Sequence, residues 1–143
     1  MKPELIFSIA NTTALLSWLL LAIAPRWRFT RFAVLSGGVS LGLSAVYLSI
    51  VVLFFGQADG GFDSLANVMK LFTNEWAVLA GWIHYLAFDL YVGSWEVRDS
   101  EKHGISHLLV IPCLVFTFLL GPIGYLLYVI IRQFAARKPE AAA

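Results

Sequence analysis

Apolar and polar residues follow one another along the chain in long blocks. Four blocks contain no Asp, Glu, Lys or Arg, namely residues 5–25, 32–58, 76–88 and 103–131. An α-helix rises about 1.5 Å per residue, so about 20 apolar residues cross a hydrocarbon core about 30 Å thick. The pattern predicts four transmembrane helices, at about 5–24, 32–55, 76–95 and 108–131. The expected fold class is all-α, a polytopic membrane protein whose four transmembrane helices form a bundle.

Shorter signals complete the predicted organisation, a single membrane domain over residues 1–143. Asp63 and Ser64 stand as a cap before apolar residues at helical spacing, which predicts an interfacial helix over 64–73. A loop wedged over the end of the bundle is the alternative. Pro122 lacks the N–H that a helix interior needs, so a kink is expected in the last span. The tail at 139–143 is expected to fray.

The composition agrees with a membrane protein and excludes other classes. The chain is 59% apolar and 13% charged, whereas soluble domains have about 25% charged residues. A net charge of +1 leaves no basic face once the spans are removed, so no nucleic-acid partner is predicted. The predicted partner is the lipid bilayer. Lys and Arg divide five to five between the two sides of the predicted bundle, so charge does not select an orientation.

Small residues mark the faces through which the predicted helices meet. Lipid gives helices no hydrophobic reason to associate, so small side chains must let backbones approach closely. Gly38 and Gly42 lie one turn apart in the second predicted span. This spacing predicts a contact face that serves the bundle, a homodimer or a partner membrane enzyme.

Asp89 is the one charged residue inside a predicted span. A charge at the centre of a bilayer costs about 2.5–3.5 kcal/mol on insertion scales, so such a residue is a functional candidate. His84 lies near mid-depth of the same span, and the two side chains can supply an acid and a base. We therefore expect His84 and Asp89 to be the catalytic pair of a polar pocket. The alternative is that both form only interhelical hydrogen bonds.

Aromatic and polar residues at matching depths complete the predicted pocket. Aromatic walls suit a rigid, apolar, conjugated or cyclic ligand. The expected ligand-binding residues are Asn11, Ser44, Trp82, Tyr85, Phe88, Tyr91 and Thr117. No lysine lies inside a span to form a retinal Schiff base, and three histidines are too few for a di-iron membrane hydroxylase. No cofactor is expected.

A second cluster of ionisable residues follows the third predicted span. Charged connections are usual at membrane edges, so we interpret this segment first as a solvated connection, with a substrate gate as another interpretation. His103 and His107 have the i, i+4 spacing of a metal-ligating pair. No metal is predicted, and the weaker alternative is a metal site whose ligands are Glu96, Asp99, His103 and His107.

The stretch Trp82-Ile83-His84-Tyr85-Leu86-Ala87-Phe88-Asp89-Leu90, followed by Val97-Arg98-Asp99, resembles the signature of the abscisic-acid-deficient-like family of small membrane proteins. The plant member of that family is needed to form neoxanthin from violaxanthin. The resemblance implies importance for His84, Asp89 and Asp99, the last as a gate or an orienting residue, and a structural role for Pro122 and Gly124. Many relatives have an arginine where this chain has Ser94.

The resemblance implies a function in the bilayer. The leading hypothesis is an integral membrane protein that binds or acts on a carotenoid or related isoprenoid, as a cofactor-independent isomerase of epoxy-xanthophylls. The alternative is a non-enzymatic pigment or lipid binder, or an assembly subunit for another membrane enzyme. A small proton-linked transporter using Asp89 is a third hypothesis, disfavoured because four spans leave little room for alternating access. Because no transit peptide is recognised, the expected location is a bacterial plasma membrane.

Overall fold

The computed structural model describes residues 2–135, so the predicted tail at 139–143 lies outside the described residues. Every regular element in this part of the chain is helical, which confirms the all-α class. The α-helices are α1 (Pro3–Ile23), α2 (Gly38–Phe54), α3 (Leu65–Leu71), α4 (Glu75–Lys102), α5 (His107–Leu120) and α6 (Pro122–Ala135). A π-helical segment, Thr30–Leu35, precedes α2, and a 3-10 turn, Phe55–Gln57, follows it.

Local chemistry explains where the helices begin and end. The Asn74 side chain accepts hydrogen bonds from the backbone N–H groups of Trp76 at 2.9 Å and Ala77 at 3.2 Å, which caps the start of α4. Gly121 ends α5 with a φ of 43°, a left-handed conformation that glycine adopts without a Cβ clash. Pro122 then stands at the first position of α6, where its missing N–H costs nothing. The kink predicted at Pro122 is therefore a complete break between two helices.

Only α1, among the described helices, is both long enough and apolar enough to cross a membrane by itself. Helices α2, α5 and α6 are apolar but shorter, with 17, 14 and 14 residues. The break at Gly121 divides the last apolar run in two, and the π-helical segment takes residues from the start of the second. The four-span bundle therefore stays a prediction.

The contacts divide the chain into two compact units. The first comprises the chain up to Leu15 together with Val39–Phe88. It contains the start of α1, most of α2, all of α3 and the first half of α4. Its core buries the hydroxyl residue Ser40 but is otherwise mostly apolar. The buried apolar side chains include Ala10, Ala14, Leu43, Ile50, Ala80, Ile83 and Ala87.

The second unit comprises Leu16–Gly38 together with the chain from Asp89 onward. It contains the end of α1, the π-helical segment, the second half of α4, and α5 packed against α6. Its core differs from that of the first unit because ionisable and hydroxyl side chains are buried with the apolar ones. The buried polar residues include Thr30, Ser94, Glu96, Asp99, Ser100 and Thr117.

Candidate functional site

Aromatic rings form two groups of contacts on α4 and its neighbours in the first unit. The imidazole of His84 stacks on Phe88 with ring centroids 4.6 Å apart, and Tyr47 of α2 meets its edge at 5.4 Å. Trp82 contacts Tyr85 at 5.3 Å and Phe7 of α1 at 5.9 Å. We call these six residues the aromatic strip. The His84, Trp82 and Phe88 side chains of the strip are exposed, so the rings are open to a ligand from outside the unit.

Asn11 and Trp82, two of the predicted ligand-binding residues, contact each other directly. The indole N–H of Trp82 donates a 2.7 Å hydrogen bond to Asn11 Oδ1, which fixes the indole plane against α1. Ser44 does not contact these two residues through its hydroxyl, which donates a 2.8 Å hydrogen bond to the backbone carbonyl of Ser40. The structure therefore brings Asn11 into the aromatic strip but gives Ser44 a local partner within α2.

Two grooves lie in the first unit. A groove of about 640 Å³ runs between α1 and α2 and ends at Trp76. Apart from two hydroxyl groups its walls are apolar, with lining residues that include Ile6, Ile9, Thr13, Gly42, Val46, Ser49 and Leu53. A second groove of about 390 Å³ includes Phe7 and Trp82, so it adjoins the aromatic strip. Both suit apolar rather than charged molecules.

Asp89 belongs to the second unit and lies at the break between α5 and α6. A Cβ placed on Gly121 would lie 3.0 Å from Asp89 Oδ1 and 3.1 Å from Oδ2, so the carboxylate packs directly on this glycine. The Asp89 side chain is half-buried. Tyr91, two residues farther along α4, is exposed and has the Arg98 guanidinium carbon 5.7 Å from its ring centroid.

Thr117, the last predicted ligand-binding residue, is hydrogen-bonded to Glu96. The Thr117 hydroxyl donates to Glu96 Oε1 at 2.8 Å, and both side chains are fully buried. Glu96 follows the last residue of the predicted span. Burial raises the pKa of Glu96 to about 7, while the hydrogen bond from Thr117 lowers it and the charge of Asp89 raises it to smaller degrees. Gly124 makes room for this pair, because a Cβ there would lie 2.2 Å from Thr117 Oγ1.

Asp99 is the centre of a second polar contact group in the same unit. Its Oδ2 accepts a 2.7 Å hydrogen bond from the Tyr128 hydroxyl and lies 2.9 Å from Arg132 Nε. His103 Nδ1 lies 3.4 Å from the same oxygen, and its Nε2 lies 3.1 Å from Arg132. Two side chains of α6 and one that follows the end of α4 thus converge on one carboxylate. This arrangement fixes α6 against α4.

The four candidate metal ligands do not converge on one point, although His103 and Asp99 are close to each other. Glu96 contacts Thr117, Asp99 pairs with Arg132 and Tyr128, and His107 Nε2 lies 3.0 Å from the carbonyl oxygen of Ala22. Within residues 2–135, no group of three or more His, Cys, Asp or Glu side chains is arranged to hold a metal ion.

The sequence reasoning did not identify Glu96 as a buried acid beside Asp89. Asp89, Glu96, Asp99 and His103 are spaced seven, three and four residues apart, which places them on one face of a continuous helix. That spacing was available in the sequence. It became informative only once α4 was seen to continue through the charged segment to Lys102.

Comparison with known proteins gives a family and one named relative. The family model described as ABA DEFICIENT 4-like matches residues 5–128. A curated relative, Protein ABA DEFICIENT 4, chloroplastic, from Arabidopsis thaliana, is 24% identical over 120 residues, covering 78% of this chain and 54% of the relative. The chain therefore spans about half the length of this curated relative. No solved structure matches the chain. The resemblance drawn from the sequence motif is confirmed.

The comparison corrects the predicted location. A bacterial plasma membrane was expected, but the named relative is a chloroplastic plant protein. That expectation is wrong on this comparison. Its basis was the start of the given sequence, which does not decide the location of the protein.

Proposed function

The chain belongs to the ABA DEFICIENT 4-like family, and from that premise we propose that it is a membrane protein that binds and isomerises an epoxy-xanthophyll or related isoprenoid. In this proposal α1, α2, residues 76–95 of α4 and the α5–α6 pair are four spans of a bundle in a plastid membrane. The apolar side chains exposed along the helices support the membrane location, since they include Leu16, Leu41, Val52, Leu119 and Leu126. The chloroplastic relative supports the choice of membrane.

The observation that carries the proposal is the aromatic strip. A conjugated polyene is long, rigid and apolar, and it is held best by ring faces arranged along its length. The contacts among Phe7, Trp82 and Tyr85, and those among Tyr47, His84 and Phe88, supply such faces on helical supports. The indole of Trp82 is already fixed by Asn11, so little freedom is lost when a ligand packs on it.

The proposed chemistry uses Asp89 and His84 as the acid–base pair. Opening an epoxide to an allenic alcohol requires removal of one carbon-bound proton and delivery of one proton to the epoxide oxygen as its C–O bond breaks. The number of protons is conserved, so the step is an isomerisation without oxidant or reductant. The exposure of the His84 imidazole and the partial burial of the Asp89 carboxylate support a role for each group.

Turnover by the purified protein tests this function. Detergent-solubilised protein is incubated with an epoxy-xanthophyll, and substrate and product are quantified by chromatography with mass balance. Asp89→Asn and His84→Ala are each expected to lower turnover by about 10²- to 10⁴-fold, the usual contribution of a general acid or base. Ser44→Ala is the matched control, since the Ser44 hydroxyl bonds only its own helix. Wild-type turnover in both variants contradicts the assignment.

A non-enzymatic binder, or an assembly subunit of another membrane enzyme, is the second candidate. The exposure of His84 and Phe88 favours it, because enzymes that handle reactive intermediates usually enclose them. Gly42 also favours this candidate, since a Cβ there would meet nothing within 4 Å and the backbone is open to another helix. This face is available to a second copy or to a partner helix. Co-purified pigment without conversion is the result expected for this candidate.

A further inference from the structure

The segment after α1 and the connection between α4 and α5 border a cleft that the proposed chemistry does not use. The cleft has a volume of about 880 Å³, and its lining residues fall within 23–31 and 100–108, both in the second unit. His107, which lines it, donates a 3.0 Å hydrogen bond from Nε2 to the carbonyl oxygen of Ala22. This bond holds the start of α5 against the end of α1, so the two walls of the cleft are fixed to each other.

The charged side chains that line the cleft are mainly arginines. Arg26 and Arg31 line it, together with one carboxylate, that of Glu101. Arg31 Nη1 lies 3.4 Å from both oxygens of that carboxylate, and both side chains are exposed, so this long pairing is weak. Arg26 is also exposed and forms no ion pair with any other residue in 2–135. Two arginines against one glutamate leave one positive charge of the lining uncompensated.

Apolar side chains line the same cleft and are open to the surroundings. Ile23 is 79% exposed and Leu108 is 77% exposed, and the Trp27 ring is exposed as well. A small free anion would use only the arginines of such a cleft. A molecule that carries both an anionic group and an apolar chain would contact the arginines and the apolar side chains together.

The position of the cleft indicates where such a molecule comes from. Among the helices that the structure describes, α1 alone is long and apolar enough to cross a membrane by itself, and its last residue, Ile23, lines the cleft. The end of a membrane-spanning helix lies at the level of the lipid headgroups, where Trp is enriched and where Arg attracts anionic lipids. A guanidinium group also matches the geometry of a phosphate, to which it donates two parallel hydrogen bonds.

We propose that this cleft binds an anionic membrane lipid, whose phosphate group lies against Arg26 and Arg31. The acyl chains of the lipid then contact Ile23 and Leu108. Arg26 supplies the positive charge that no acid in the cleft compensates, whereas Glu101 competes with the phosphate for Arg31 and limits the affinity. The inference goes beyond the proposed function and rests on one part of it, the membrane location.

Thermal unfolding of the purified full chain in a neutral detergent tests the site. A ligand that binds only the folded protein raises the unfolding temperature once its concentration exceeds Kd, so a titration yields an apparent Kd. Dioleoyl phosphatidylglycerol is compared with dioleoyl phosphatidylcholine, whose phosphate is neutralised by its own choline, and with inorganic phosphate at matched ionic strength. Phosphatidylglycerol is expected to raise the unfolding temperature at concentrations where the other two have no effect. An equal rise with phosphatidylcholine overturns the recognition of charge, and an equal rise with inorganic phosphate overturns the lipid as the ligand.

Variants of the arginines locate the binding. Arg26→Gln is expected to raise the Kd for phosphatidylglycerol about 5-fold, the usual contribution of one arginine near an anionic lipid surface. Arg28→Gln is the matched control, because Arg28 is exposed and only two residues away but does not line the cleft. The control is expected to leave the Kd nearly unchanged. Equal weakening in the two variants shows attraction by net charge alone and overturns the site.

A third variant changes the Kd in the opposite direction. Glu101→Gln releases Arg31 from its exposed ion pair, so phosphatidylglycerol is expected to bind about 2- to 5-fold more tightly. Since Glu101 is exposed, the fold should tolerate the substitution. Weaker or unchanged binding overturns the competition between Glu101 and the lipid for Arg31.

The membrane location is tested separately, by washing membranes that contain the chain with alkaline carbonate. A chain that stays in the washed membranes but shows no preference for phosphatidylglycerol overturns the lipid site and leaves the proposed function standing. The titrations contain no xanthophyll and are independent of the turnover assay. A protein that binds phosphatidylglycerol in the cleft but converts no xanthophyll therefore supports the lipid site and counts against the proposed function.

Discussion

The hydroxyl of Tyr128 on α6 donates a 2.7 Å hydrogen bond to Asp99 Oδ2 on α4, in a place that solvent barely reaches. Tyr128 is fully buried, and Asp99 is 8% exposed. The bond is strong because its acceptor is charged, and Arg132 on the same helix holds that charge from 2.9 Å. The second half of α4 and helix α6 are thus joined by polar contacts in the core of the second unit.

Tyr128→Phe removes this donor and keeps the ring. We expect the free energy of unfolding to fall by about 1.5–3 kcal/mol, the usual value for a hydrogen bond to a charged group. Tyr125→Phe is the matched control, because Tyr125 lies on the same helix and is 47% exposed, so its loss should stay within about 0.5 kcal/mol. Unfolding in detergent measures both. Equal losses in the two variants contradict the contact.

Gly124→Ala introduces a methyl group where α5 and α6 are closest. The new Cβ would lie 2.0 Å from the Thr117 backbone nitrogen, so a helix must move. We expect a destabilisation of about 1–3 kcal/mol, together with loss of the Thr117 bond to Glu96. Gly42→Ala is the control, because its Cβ meets nothing within 4 Å and alanine favours a helix by about 1 kcal/mol. A stable Gly124→Ala variant would show that the helices are farther apart.

The stability of the protein should fall as the pH rises from 4.5 to about 7. The pKa of Glu96 is raised in the folded state from 4.5 to about 7, so folding favours the protonated form. This stabilisation is complete below the pKa of the unfolded state and is lost as the pH rises through the pKa of the folded state. Each pKa unit of the shift corresponds to about 1.4 kcal/mol, so the free energy of unfolding changes by a few kcal/mol in total. Glu96→Gln should flatten the decline between pH 4.5 and about 7. Unfolding curves across that interval measure it, and an unchanged slope contradicts the assignment.

Trp82→Leu should weaken binding of a xanthophyll to the aromatic strip. The substitution keeps an apolar side chain but removes the ring and the donor to Asn11. Aromatic contacts contribute about 0.5–1.5 kcal/mol beyond burial, which corresponds to about a 2- to 10-fold rise in Kd. Absorption titration of the detergent-solubilised protein measures the change. Trp27→Leu, at another exposed tryptophan, is the control, and equal weakening in both variants argues against the strip.

The sequence predicted the helices better than it predicted their partners. Apolar runs without charge identify α1 and the α5–α6 region because helical apolar length is a local property. Residues 96–102 were interpreted as a solvated connection because their local composition is charged. The structure continues α4 through them, since Glu96 and Asp99 find partners in Thr117 and Tyr128, which lie 21 and 29 positions away. Burial created by distant residues leaves no local signal.

The candidate site shows the same limit. Asp89 and His84 were singled out by their depth in a predicted span, which is a matter of counting residues. Their contacts depend on the break at Gly121 and on the position of Tyr47, neither of which a pattern along α4 reveals. The aromatic residues of the strip could be named in part, because Trp82, Tyr85 and Phe88 recur every third residue. Phe7 and Tyr47 required the fold.

The break at Gly121 connects α6 to the rest of the chain at its first residue, so α6 can tilt about that end. Pro122 has no N–H to donate to α5, so the orientation of α6 depends mainly on its side-chain contacts. Gly124 lies near the start of α6 and packs on Thr117, whereas Arg132 lies near the end of α6 and pairs with Asp99. At about 1.5 Å per residue the two positions are about 12 Å apart. A small tilt of α6 about Gly121 therefore moves Arg132 much farther than it moves Gly124. The ion pair between Arg132 and Asp99 is the contact that resists such a tilt most strongly.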